Sequence, residues 1–313
     1  MARGTSRSPG GRDADVESSL TRQLAPQPPR EREFSLPAFP LAALEWGEPG
    51  GLPAVAIHGW LDNAGSFDLL APLLGGCHLI ALDCAGHGRS GRRSADASYN
   101  ILEDVGDVLE VAAQLGWSRF SVIGHSRGAA IGTLLAGSFP DRVERLVIVE
   151  GGVPITGTAE DAPDDLALAL TERKALRNRA GRVYATRDDA LRARAAGFSP
   201  ISQSAAAILA RRSLERVEGG FRWHSDRRLR ARSELRLTAE HVEAFISRVR
   251  CPVLAIMAAS SPFADFETFQ RLLSRFKQME SVTLPGGHHF HLEGAETEIA
   301  RRTRAFLGLT DDD

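Results

Sequence analysis

What most constrains the fold of this chain is a rhythm. From Ala42 onward, short continuous apolar runs recur, each closing on glycines or turn residues and most followed by a longer stretch with helical spacing. The runs are Ala54–Trp60 (AVAIHGW), His78–Ser90 (HLIALDCAGHGRS), Arg119–Ser126 (RFSVIGHS), Val143–Gly152 (VERLVIVEGG), Cys251–Ala258 (CPVLAIMA) and Glu280–Gly287 (ESVTLPGG). A strand with one wet face alternates apolar and polar residues, whereas an unbroken apolar run suits a strand covered on both faces, the setting of parallel sheets. Between the runs, ILEDVGDVLEVAAQLG places Ile101, Val105, Val108, Leu109 and Ala112 on one helical stripe, with Gly116 positioned to end it. RGAAIGTLLAGSF starts a helix directly after Ser126, and DFETFQRLLSRF and ETEIARRTRAFLGL supply two late helices. This alternation predicts an α/β fold with a mostly parallel, doubly wound sheet.

The rhythm stops between Val153 and Thr238, a stretch rich in Arg and Ala that reads as mainly helical and is too long for a loop. Residues 153–238 are therefore expected to form a helical lid inserted into a core made of residues 34–152 and 239–313. The arginines from Arg227 to Arg236 are expected on a solvated face, and Trp223 with Phe221 either lines the pocket or anchors a hairpin. Residues 1–33 are polar, Pro-rich and mixed in charge, without the apolar stretch of a secretory signal, and read as a flexible tail.

Composition narrows the function. A net charge of −2 gives no field for nucleic acid or an anionic membrane, and no apolar run approaches a membrane span. Cys77, Cys84 and Cys251 are odd in number and lack Cys-x-x-Cys spacing, which argues against a disulfide framework and for buried thiols in a reducing, cytoplasmic setting. A small-molecule substrate is the partner this leaves. Oligomeric state is not legible.

The chemistry centres on Gly124-His125-Ser126-Arg127-Gly128. A serine in Gly-x-Ser-x-Gly, between an apolar strand and a small-residue helix, has the setting of a nucleophile elbow, with the helix N-terminus aimed at the hydroxyl. Acyl transfer also needs donors for the developing oxyanion. His58-Gly59-Trp60 ends the early strand, so the backbone N–H groups of Trp60 and Arg127 are the expected pair. The His58 ring is expected only to hold its turn. The base should be a late histidine, and His288, directly after Gly286-Gly287, is best placed; His289 and His291 are expected to be structural or exposed. His288 and His291 have no evident third ligand, so neither a metal nor a cofactor is expected. Asp62 and Asn63 most simply start a helix.

In order and spacing, HGWLDNAGSFDLLAPLL, DCAGHGRS, GHSRGA and PGGHHFHLE resemble the α/β-hydrolase superfamily, and the fuller match, including DRVERLVIVEGG, resembles its serine hydrolase-like proteins from about Phe34 onward. The resemblance implies a serine hydrolase of esterase type. It also exposes departures. Many members carry the triad acid just after the strand at Cys251–Ala258, where this chain has Ser261. The fold's alternative site, at the end of the strand after the nucleophile helix, holds Glu150, with Asp265 as the fallback. Ala85 stands where the family turn commonly has proline. Arg127 replaces the common Met, its guanidinium free to face a substrate carboxylate, solvent or Glu150. A non-catalytic binding protein lacking a working acid, and a C–C hydrolase or cofactor-free peroxidase with the same triad, are the competing readings.

Overall fold

The computed structural model describes residues 28–177 and 179–309. In chain order, the strands of the main sheet are β1 (Arg30–Ser35), β2 (Pro40–Trp46), β3 (Leu52–Ile57), β4 (Cys77–Leu82), β5 (Phe120–Ser126) and β6 (Val143–Gly151). An insertion carries β7 (Val183–Tyr184), β8 (Leu214–Val217) and β9 (Gly220–Trp223), after which β10 (Val253–Ala258) and β11 (Met279–Leu284) return to the main sheet. The eight strands are ordered β1-β2-β4-β3-β5-β6-β10-β11. All pairings from β4 to β11 are parallel, and β1 and β2 add an antiparallel edge. Each of the continuous apolar runs of the sequence supplies one parallel strand.

Helices α1 (Ile101–Gln114) and α2 (Arg127–Ser138) precede the insertion in the chain, α3 (Ala162–Arg177), α4 (Arg187–Ala195) and α5 (Gln203–Ser213) lie inside it, and α6 (Ala239–Arg248), α7 (Glu267–Leu273) and α8 (Glu296–Leu307) follow. Of these, α1, α2, α6 and α7 share one apolar cluster with the sheet and α8 joins another. In α1 the buried apolar residues are Val105, Val108, Val111 and Ala112, so the apolar stripe turns toward Val111 while Ile101 and Leu109 are only half-buried. From β3 the chain moves outward to β4, then crosses to β5 on the other side of β3. That reversal opens a crevice at the carboxyl ends of β3 and β5, where open α/β sheets bind ligands.

Two expectations need correction. The tail does not run to residue 33: Arg30–Ser35 is a strand, while residues 1–27 lie outside the described part. Its charge disguised it. Arg30 and Arg32 reach across to the buried Glu45 of β2, and Phe34 enters the core. The arginines after Arg227 are not uniformly solvated either. Arg228 is buried, pairing with Asp226 at 2.8 Å and donating to the carbonyls of Arg93, Ser94 and Ala97.

The insertion is not all helix, because β7, β9 and β8 form a small antiparallel sheet. It has its own apolar cluster, including Leu191, Ile201, Ala206 and Leu209. Arg212 of α5 fastens it to the sheet, holding the buried Asp83 with two nitrogens and Glu31 of β1 with a third.

Candidate active site

Ser126 closes β5 at φ +52° and ψ −115°, a strained conformation for an L-residue that lifts the hydroxyl out of the strand line. The turn is possible because its neighbours lack side chains. A Cβ on Gly128 would stand 1.9 Å from the Ile57 carbonyl oxygen, and one on Gly124 would stand 2.4 Å from the Ala129 backbone. Helix α2 is thereby pressed against β3 and β5, with its N-terminus at the serine.

His288 Nε2 lies 2.9 Å from Ser126 Oγ. Behind it, His288 Nδ1 faces Glu150 Oε1 at 3.5 Å, just beyond hydrogen-bond reach; such bonds are often long before substrate arrives. Glu150 is fully buried and has positive φ, +56°, at the end of β6. Its Oε2 accepts from the Ala258 N–H at 2.8 Å, and its Oε1 accepts from the Ser261 hydroxyl. Ser261, at the position where an acid is common, therefore supports the carboxylate that stands next to His288. Asp265 is exposed, and among the described residues it makes no hydrogen bond or ion pair with His288.

β3 and β5 run parallel with Ile57 opposite Gly124. Trp60 and Arg127, each three residues further on, thus emerge from adjacent strand ends beside Ser126. Buried His58 donates Nδ1–H to the Gly59 carbonyl and accepts the Cys84 N–H at Nε2, so its ring ties two turns together, and burial holds it below the usual histidine range. Asn63 caps a short 3-10 turn, Ala64–Phe67.

The side chain of Arg127 corrects the sequence reading. It turns away from the crevice to pair with Asp104 of α1, and faces neither Glu150 nor a substrate carboxylate. Burial pushes its pKa down, but Asp104 outweighs burial, so the guanidinium stays charged beneath the elbow. Trp223 also belongs elsewhere: its Nε1 donates to the Ala190 carbonyl and its ring packs on the lid cluster, as a hairpin anchor.

Sequence reasoning missed the surroundings of the base. Asp62, expected to start a helix, is buried and accepts from Arg194 Nη2 at 2.7 Å and from His289 Nε2 at 3.0 Å. Burial pushes its carboxyl up, but His289, Arg194 and His125 pull it well below the usual carboxylate range. His125, inside the elbow motif, is fully buried and donates Nε2–H to the His288 carbonyl at 2.9 Å. Burial and the neighbouring histidines hold it far below the usual range, so it is neutral. His289 and His291 are both buried rather than exposed. The residues that signal this cluster are His125 and the His-His-x-His run, read together.

Asp62, His125 and His289 offer ligand atoms within 4.8 Å of one another, the spacing a metal would need. Both Asp62 oxygens are already engaged, however, and the Arg194 guanidinium places a positive charge against one of them. A cation there would have to share Asp62 with the Arg194 guanidinium, a positive charge already in place. The set fits a hydrogen-bonded cluster better than a metal centre.

Residues 55–295 match the alpha/beta hydrolase fold family. A serine hydrolase-like protein of Dictyostelium discoideum is 31% identical over 268 residues, covering 81% of this chain and 74% of that protein. The crystal structure of a hypothetical protein from Pseudomonas aeruginosa PAO1 is 46% identical, covers 89% of this chain and 99% of its own, and superposes with a TM-score of 0.85. A thioesterase domain from the curacin biosynthetic pathway, 25% identical, covers 90% and 99% with a TM-score of 0.77.

Proposed function

This chain belongs to the α/β-hydrolase superfamily and resembles its serine hydrolase-like proteins, and from that premise we propose that it cleaves a carboxylic ester or related acyl bond through an acyl-enzyme. The observation that carries this reading is the line from Ser126 Oγ to His288 Nε2 at 2.9 Å, continued to Glu150 at 3.5 Å. Ser126 attacks the acyl carbon as its proton passes to His288 Nε2. Glu150 fixes the Nδ1–H tautomer of His288 and stabilises the imidazolium as it forms. The N–H groups of Trp60 and Arg127 receive the oxyanion, worth about 3 kcal/mol for each donor in comparable sites. His288 then returns the proton to the leaving group, and water repeats the sequence on the acyl-enzyme.

The substrate is a small acyl compound, and the lid decides which one. Among the described residues no helix is long and apolar enough to cross a membrane. All of the cysteines are buried and unpaired, which suits a reducing compartment, and we place the protein in the cytoplasm.

The test is intact-mass labelling with a fluorophosphonate, followed by ester hydrolysis. Wild type should take one adduct, and Ser126→Ala none. Glu150→Gln should lower kcat by about 10³-fold, because the amide cannot stabilise the imidazolium, while Asp265→Asn should leave it unchanged. Full activity in Glu150→Gln would remove Glu150 from the mechanism. An unlabelled, folded wild type would favour a ligand-binding protein on this fold.

A further inference from the structure

Acyl transfer by this site requires three separate loops in register: the oxyanion loop after β3, the elbow after β5 and the base loop after β11. The β3–β5 ladder sets the first two side by side, and two buried contacts tie them to the third. His125, one residue before Ser126, donates to the backbone carbonyl of His288, tying elbow to base loop. Asp62, two residues after Trp60, holds the ring of His289 at 3.0 Å, tying oxyanion loop to base loop.

The same carboxylate also receives the lid. Arg194, at the end of α4, donates to the free oxygen of Asp62 at 2.7 Å and to the Ser199 carbonyl at 3.0 Å. The Ser199 hydroxyl meets His289 Nδ1 at 3.3 Å, on the ring face away from Asp62. Between these contacts the lid presents Phe198, 89% exposed, with its ring edge-on to Trp60 at 5.8 Å. Apart from that contact its ring is open to solvent, beside the residue whose amide is assigned to the oxyanion.

We propose that Asp62 is a second functional carboxylate of this site, a positioning residue through which the lid arm Arg194–Ser199 sets His288 and the Trp60 amide in register. The inference rests on the serine-hydrolase reading above. Glu150 acts on the His288 ring, whereas Asp62 acts on the backbone that carries it. Substrate seated under Phe198 holds the arm down, so the base and the oxyanion donor are aligned when the acyl group is present. An interaction of this kind is expressed in kcat, since it improves the reacting geometry rather than the binding of substrate.

Asp62→Asn keeps the shape and removes the charge that both Arg194 and His289 address. Its fluorophosphonate labelling should remain at one adduct but slow by about 10- to 100-fold, the loss expected when reacting groups are misplaced by about 1 Å. With an ester, kcat should fall in proportion and KM should change less than about twofold. Arg194→Ala, on the lid, should lower kcat by about fivefold, and Arg194→Lys should recover about half of that loss. Should Asp62→Asn fail to fold, the Arg194 pair decides. Unchanged kcat in these variants, or a rise in KM alone, overturns the inference and leaves the proposed function standing. An unlabelled wild type overturns the proposed function, and this inference with it.

Discussion

The sheet and the lid are held together by opposite means. In the sheet, Val55, Ile57, Ile80, Ile123, Leu146 and Ile148 are wholly buried, and stability comes from apolar area removed from water on both faces. The lid instead leaves Leu166, Leu168 and Leu170 of α3 nearly half exposed and docks through charge. Arg212 with Asp83 and Arg194 with Asp62 are its charged fastenings, each on a buried carboxylate, and Arg228 adds bonds to the core carbonyls of Arg93, Ser94 and Ala97. Apolar burial is non-directional and tolerates repacking, whereas a buried ion pair works in one geometry and is costly to half-remove. The sheet is thus a robust frame, and the lid is seated by a few specific contacts that can be released one at a time.

The largest stability effect is expected where the frame itself is cut. Ile123→Ala, in the central strand before Ser126, should cost about 4 kcal/mol in urea unfolding. Arg212→Ala leaves Asp83 buried with less than its full set of donors and should cost about 3 kcal/mol. If the lid is seated as described, that loss falls locally: hydrogen exchange should quicken in α4 and α5 while β5 and β6 keep their protection. A uniform loss of protection would mean that lid and sheet form one cooperative unit.

A smaller effect comes from the histidine cluster, where the frame carries polar groups without paired charge. Burial, with a further push from His289, lowers His291 to about 3, and neither ring nitrogen has a hydrogen-bond partner. A histidine held below its unfolded value of about 6.5 stabilises fully above that pH, and the contribution is lost as pH falls from there toward 3. Its share of the slope is about 1.4 kcal/mol per pH unit below that value. His291→Leu should therefore flatten the fall in stability between pH 6.5 and 5 by about 1–2 kcal/mol, read from urea midpoints at the two pH values. An identical slope in the variant would show that His291 acquires a partner in solution.

The parallel strands and the tight turn at Ser126 were legible because their signals are local, and His288, picked from its Gly-Gly loop, does stand 2.9 Å from Ser126 Oγ. Apolar runs mark doubly covered strands, and Gly124 and Gly128 flank the only serine with that spacing and context. β1 was not legible, because Arg-Glu-Arg-Glu resembles a solvated tail until Glu45 is seen across the ladder. Arg127 was misread for the same reason: its partner Asp104 lies 23 positions away. Asp62, His125 and His289 look unremarkable one at a time, and only the convergence of three loops gives them a shared environment. Sequence patterns report what faces the core, and they say little about which charge meets which.

The placement of Glu150 has a consequence for how this scaffold can change. The proposed nucleophile and acid lie on one unbroken segment, Ser126–Glu150, comprising the turn at Ser126, α2 and β6. The stretch after β10 meets the site at two residues: the Ser261 hydroxyl donates to Glu150, and the Phe263 ring packs edge-on against His288 at 5.6 Å. An enzyme engineer could therefore lengthen or replace the exposed residues 264–266, keeping Ser261 and Phe263, and graft new recognition elements beside the crevice without touching Ser126, His288 or Glu150.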